Sequence, residues 1–156
     1  MTNFEIVDAT AADVSEMLPH FPRLADFELP PNRQPHFLWQ GDAAALQAWA
    51  AGDEPNLLVQ KAVDDAGTLF GFTITRMGDE FLSHEPSAHL EVLLVTKVAE
   101  GKGIAKALIH AAEENAQRHG AKSMSLHVIG TNKRARQVYQ HLGYYEEIIR
   151  NIKHFS

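Results

Sequence analysis

The sequence predicts a single mixed α/β domain spanning residues 1–156: a mostly antiparallel sheet, one pair of parallel strands, and helices on its faces. Three observations predict it. Apolar residues make up 45% of the 156 and charged residues 22%, a composition able to bury a core. Short apolar runs of strand length fill the middle of the chain, two of them joined by good hairpin chemistry. A well-formed helix then separates the runs at 88–95 and 123–128, and a strand–helix–strand unit implies a right-handed parallel crossover.

Each element has its own reason. Phe4 to Ala9 alternates weakly and reads as a first strand. Thr10 or Asp13 caps a short helix with Val14, Met17 and Leu18 on one face, stopped by Pro19. Residues 19–40 hold five of the seven prolines, with Phe21, Phe27, Phe37 and Trp39 interspersed, which describes a loop folded against the body by apolar anchors. Gly41-Asp42 opens a second helix, Ala43 to Ala51, with Leu46 and Trp49 inward. Asn56 to Val63 and Thr68 to Met77 are strands around the turn Asp64-Asp65-Ala66-Gly67. Ala88 to Val95 is near-continuously apolar, as a strand buried on both faces should be, and only Glu91 breaks it. Gly103 to Arg118 is a helix with Ile104, Ala107, Leu108 and Ala111 on its buried stripe and Gly120 as its stop. Ser123 to Val128 is a strand, Asn132 to Leu142 a helix ended by Gly143, and Tyr144 to Ile149 begins a last strand.

The bulk numbers exclude several functions. A formal charge of -6 leaves no excess of Lys and Arg for a broad nucleic-acid surface, and suits a cationic or amine partner. The absence of cysteine excludes disulfides, thiolate metal sites and a cysteine nucleophile. None of the nine histidines forms a His-x-x-x-His pair, so no metal is expected. His89 and His127 fall on strands expected to be neighbours, where one could assist proton removal near neutral pH or simply be satisfied in the core. The N-terminus lacks the basic start and apolar core of a signal peptide, and no apolar stretch reaches the length of a membrane span. A cytoplasmic protein that binds no membrane is the expectation.

The stretch richest in chemistry is Glu91 to Leu108: an apolar strand, a glycine-punctuated turn, then a helix. Glycines let the backbone curl close to a ligand, and the first helical N–H groups point outward unpaired with a partial positive charge. Lys102 and Lys106 add full charges on one side. This is a cradle for a pyrophosphate. Lys106 stands where a dinucleotide fingerprint wants a third Gly or Ala, and no Ser or Thr follows Gly101-Lys102 as a nucleoside-triphosphate loop requires.

Two motifs then carry a resemblance. Glu100-Gly101-Lys102-Gly103-Ile104-Ala105 follows the pattern Gln/Arg-x-x-Gly-x-Gly/Ala, and Asn132-Lys-Arg-Ala135-Arg-Gln-Val-Tyr139, then Gly143-Tyr144, follows Asn-x-x-Ala-x-x-x-Tyr with a closing Gly-aromatic pair. Together, one helix and one strand apart, they resemble the GNAT superfamily of acetyl-CoA-dependent N-acetyltransferases over roughly Thr68 to Tyr145. The resemblance implies a mixed, mostly antiparallel sheet whose fourth and fifth strands splay apart. It implies acetyl-CoA as co-substrate, with the pantetheine arm pairing along Leu93, Leu94 and Val95. The pyrophosphate would lie on Gly101, Lys102, Gly103, Ile104, Ala105 and Lys106, with Asn132 against the cofactor arm. Tyr139 matches the general acid that protonates the leaving thiolate; packing on its helix's apolar stripe is the alternative. Glu91 matches the position of a base that draws a proton from the amine; a Glu at a bulge, or a structural ion pair, is the alternative. Glu100 departs from the pattern and sets a negative charge beside the pyrophosphate, opposed by the two lysines.

The implied activity is transfer of an acetyl group to a primary amine of a small molecule or peptide. The other class of reading is a non-catalytic acetyl-CoA-binding regulatory or interaction domain. Arg23, Arg33, His36 and Trp39 lie on the early loop, which by the resemblance lines the acceptor side. A sheet edge left open near the C-terminus is one that a homodimer could cover.

Overall fold

The computed structural model describes residues 3–156. Five strands form one sheet in chain order: β1 (Phe4–Asp8), β2 (Leu57–Asp64), β3 (Leu69–Asp79), β4 (Pro86–Val95) and β5 (Met124–Leu126). The first four pair antiparallel and β5 joins β4 in parallel. The β2–β3 hairpin turns where expected, because Asp64 Oδ1 accepts from the N–H of Ala66 (3.0 Å) and Thr68 (2.8 Å) and Gly67 takes a positive φ.

Helices cover both faces. On one, α1 (Val14–Met17), a 3-10 turn (Leu18–Ala25) and α2 (Gln40–Ala50) bury Met17, Phe21 and Leu46 against Phe72, Ile74, Val92 and Leu94. The proline-rich loop is thus folded on the body: Phe21 is fully buried and stacks at 5.5 Å from Phe72. On the other face lies α3 (Ile104–Arg118), with Ile104, Leu108 and Ile109 fully buried. Each such side chain contributes about 1.5–3 kcal/mol, so α3 is held by its core face and not by its N-terminal turn. Gly71 of β3 allows this approach; a Cβ there would meet Leu94 O at 2.5 Å and Leu108 Cδ1 at 3.0 Å. After β5, α4 (Lys133–His141) packs Tyr139 and Leu142 toward Leu90, Ile109 and Ala112.

Three elements differ from expectation. α2 begins at Gln40, three residues early, and β5 keeps only three residues of the run 123–128. The last strand expected from Tyr144 does not form. Tyr144 is tied inward by its hydroxyl donating to Glu113 Oε2 at 2.7 Å, and Glu146 pairs with Arg136 at 2.7 Å. Beyond, Tyr145, Ile148, Ile149, Ile152 and Phe155 are exposed. Strand propensity without a ladder partner leaves such a segment irregular.

Candidate active site

β4 enters the glycine turn through a fixed base. Thr96 is buried, its N–H donates to Phe70 O at 2.9 Å, and its hydroxyl lies 3.0 Å from Leu69 O and 3.2 Å from Phe70 O. Past a 3-10 turn (Lys97–Ala99), Gly101 and Gly103 take φ of 74° and 76°. A Cβ on either would touch nothing, so glycine is required there by backbone conformation and the turn is open to a ligand. Gly103 is the N-cap of α3, and no side chain caps it. The first-turn N–H groups of Ile104, Ala105 and Lys106 have no helical acceptor and carry the positive end of a 15-residue helix. Glu100 at the head of the turn is paired with Arg23, Nη2 to Oε1 at 2.6 Å. That hydrogen bond, with Arg134 and Lys97 nearby, holds the Glu100 carboxyl below its usual range.

Beside the turn, β4 has a free edge. Its pairing with β5 ends at Leu90 opposite Leu126. The Thr96 N–H points to β3. Since peptide groups alternate sides along a strand, those of Leu93 and Val95 point away from β3, toward the gap that β5 leaves. Val95 O confirms the direction by accepting from Arg23 Nε at 3.0 Å. Leu94 alternates back: its peptide faces β3 and its side chain lies in the α1/α2 core. Of the three residues expected along the pantetheine arm, Leu93 presents open backbone and Val95 only its N–H, because Val95 O is taken by Arg23.

Glu91 sits on a bulge. Ile74 pairs with Val92 and Thr75 with Leu90, which leaves Glu91 as the extra residue. The bulge shifts the phase of the strand, so Leu90 packs under α3 while Val92, two residues on, packs under α1 and α2. Glu91 Oε1 accepts from Arg76 Nε at 3.0 Å, and Arg76 Nη1 donates to Glu54 Oε2 at 2.9 Å. These bonds, Glu54's first, raise the Arg76 guanidinium further above its already high range. Asp42, from the first turn of α2, is close enough for its charge to be felt: burial, then repulsion from Glu91, pushes its carboxyl up to about 6. Two carboxylates therefore pair with one guanidinium, and Asp42 feels the charge of Glu91 and Arg76. His89, two residues before Glu91, lies edge-on to His127 at 4.6 Å and shares a 2.8 Å hydrogen bond with Ser125 Oγ. Burial pushes the His89 ring down, despite Glu91, toward the neutral form.

α4 brings the second motif to the same gap. Asn132 caps it, Oδ1 accepting from Ala135 N at 3.3 Å. This is a structural duty that uses the amide oxygen and leaves the amide N–H₂ uncommitted. Tyr139 packs in the cluster containing Leu90 and Leu93, either side of the Glu91 bulge, with its ring 6.1 Å from Tyr144. Its hydroxyl bonds to no described residue, and burial raises its pKa. The ring packs on the helix's apolar stripe, and the phenol is uncommitted.

A strand–glycine-turn–helix cradle joined to a splayed strand edge and a capped Asn/Tyr helix is a complete pattern, and the family model described as Acetyltransferase (GNAT) family matches residues 21–144. The chain belongs to that family. A GNAT relative from Propionibacterium freudenreichii subsp. shermanii, a mycothiol acetyltransferase, is 36% identical over 92 residues, which is 59% of this chain. The chain spans only 28% of that protein's length. The uncharacterized N-acetyltransferase YhfO of Bacillus subtilis is 30% identical over 142 residues, covering 91% of this chain and 90% of the other. Among solved structures, a putative acetyl transferase from Pyrococcus furiosus shares the fold with a TM-score of 0.78 at 21% identity, over 98% of this chain and 100% of its own.

The GNAT motifs are short in sequence, and what lies outside them is what sequence reading missed. Arg76, Glu54 and Asp42 join Glu91 from β3, the segment before β2, and α2. One signal existed: Arg76 is the lone charge in its apolar run as Glu91 is in the next. Arg23, expected on the acceptor side, stands instead at the glycine turn. Trp39 packs on the core, and His36 lies edge-on to Phe37 at 4.8 Å; neither reaches the carboxylates through a bond among the described residues. No three acidic or histidine side chains gather into a metal-holding group among the described residues.

Proposed function

We propose that this chain transfers the acetyl group of acetyl-CoA to a primary amine of a small molecule or peptide, and that the amine arrives as a cation. The observation that carries the reading is the continuity of the free β4 edge at Leu93 and Val95 with the open glycine turn, a track fitting a pantetheine arm and its pyrophosphate. Acetyl-CoA supplies the thioester. Gly101 to Lys106 would hold its pyrophosphate, the β4 edge its arm, and the Asn132 amide its polar linkages.

Asp42, Glu54 and Glu91 outnumber Arg76, so the acceptor side carries net negative charge that favours an ammonium. Glu91 takes the proton that makes the amine nucleophilic, directly or through water, while Arg76 fixes its direction. Tyr139, kept as the phenol by burial, holds the proton that a departing thiolate needs. The relative from Propionibacterium freudenreichii is named a mycothiol acetyltransferase, and that name supports a small-molecule acceptor here. A cytoplasmic location and a homodimer covering the β5 edge and the apolar tail belong to the same reading; light scattering checks the latter.

Free-thiol release from acetyl-CoA across an amine panel tests the function, paired with thermal shift by CoA. Turnover with cationic amines is expected. A thermal shift without turnover on any amine would favour the non-catalytic binding domain, and no shift would remove both.

A further inference from the structure

Arg23 belongs to neither motif, yet its side chain touches both halves of the proposed cofactor track. It sits on the 3-10 turn Leu18–Ala25, 72 residues from Val95 and 77 from Glu100 in sequence. Its Nε donates to Val95 O at 3.0 Å, on the free edge of β4, and its Nη2 to Glu100 Oε1 at 2.6 Å, at the head of the glycine turn. The guanidinium therefore stands at the corner where the strand edge ends and the turn begins.

Fold stability is a poor explanation for this placement. Glu100 is exposed, and exposed ion pairs contribute little. The local electrostatics are more informative. An acid at the head of an anion cradle repels the anion unless a cation stands with it. The Arg23–Glu100 pair cancels that charge at 2.6 Å. A guanidinium has five N–H donors in a rigid fork, and Arg23 spends two. The remaining three bond to no described residue. A fork oriented at two points, with donors to spare at the head of the turn that leads into α3, is an arrangement able to take a phosphate oxygen pair.

We propose that Arg23 is a cofactor-binding residue: Val95 O and Glu100 orient its guanidinium so that its free N–H donors grip the diphosphate of acetyl-CoA at the head of the glycine turn. Glu100 is then a positioning residue whose acid serves the cation, and the loop bearing Arg23 becomes part of the cofactor site. The proposal rests on the acetyl-CoA reading above.

Calorimetry with CoA, and turnover with acetyl-CoA and with S-acetylpantetheine, which lacks the diphosphate, test it on the full chain. Arg23→Ala should weaken CoA by about tenfold or more, the loss of charge-assisted hydrogen bonds, and should raise KM for S-acetylpantetheine by much less, since that substrate feels only the Val95 end of the contact. Arg23→Lys should fall between, keeping charge but losing the fork. Arg23→Ala/Glu100→Gln should bind CoA more tightly than Arg23→Ala, because the acid stripped of its cation is gone. Added salt should narrow the gap between wild type and Arg23→Ala. CoA affinity unchanged or raised in Arg23→Ala overturns the proposal, as does an equal loss with S-acetylpantetheine. A wild-type chain that binds no CoA instead overturns the reading beneath it. Thermal melts of each variant establish that the folded protein is being compared.

Discussion

At the scale of single residues, Tyr139 and Asp42 are two titratable groups whose surroundings differ. Tyr139 is a half-buried phenol without a hydrogen-bond partner among the described residues, and its burial favours the protonated form. Tyr139→Phe keeps the ring and its packing and removes only the acid. Turnover should drop by about 10²- to 10⁴-fold with CoA affinity nearly unchanged; steady-state kinetics with calorimetry check it, and retained turnover removes the role. Asp42 offers a test in stability. Its folded carboxyl is pushed to about 6 from 3.8, so the folded chain holds that proton more tightly than the unfolded one. Stability contributed at Asp42 is thus greatest below about pH 3.8, falls as pH rises toward 6, and is level above. Asp42→Asn should raise the melting temperature at pH 7.5 and lose that advantage by pH 4. Denaturation of both proteins at the two pH values checks the sign; equal melting at pH 7.5 contradicts it.

At the scale of elements, the glycine turn was legible in sequence because it is local: two left-handed positions, a strand before and a helix after, all within twenty residues. Gly103→Ala should cost about 1–2 kcal/mol through its φ of 76° alone, since the added Cβ meets no atom. Chemical denaturation measures that cost, and an unchanged midpoint would show that the turn relaxes freely. CoA affinity should fall further, because relief of the strain moves the N–H groups of the cradle. The β4 bulge was legible only as one alternative for Glu91, and its effect on the strand was not. A run as continuous as Ala88 to Val95 has no alternation for a phase shift to interrupt, so nothing in it announces that Leu90 and Val92 face opposite ways. The Arg76 bridge was hidden for a related reason: it depends on which residue of β3 stands opposite which residue of β4, and the bulge decides that register. The strand expected after Tyr144 rested on composition alone, and composition does not supply a ladder partner.

At the scale of the whole molecule, the fold and the strand–turn–helix cradle follow from the order of elements, whereas the carboxylates around Arg76 come from α2, the segment before β2, and β4. No short motif spans those pieces. This is why the two signatures lead to the family and stop short of the amine. The splay of β5 has one more consequence. β4 is central by position in the sheet, yet over its second half it is an edge. Hydrogen–deuterium exchange should therefore divide the strand residue by residue. The amides of Val92 and Leu94, turned to β3, should exchange only through large openings, while those of Leu93 and Val95 should label early although both neighbours are slow. Uniform protection along β4 would count against the open edge. Saturating CoA should slow the two fast amides selectively, so that the deuterium pattern of a single strand reads out occupancy of the track without any turnover at all.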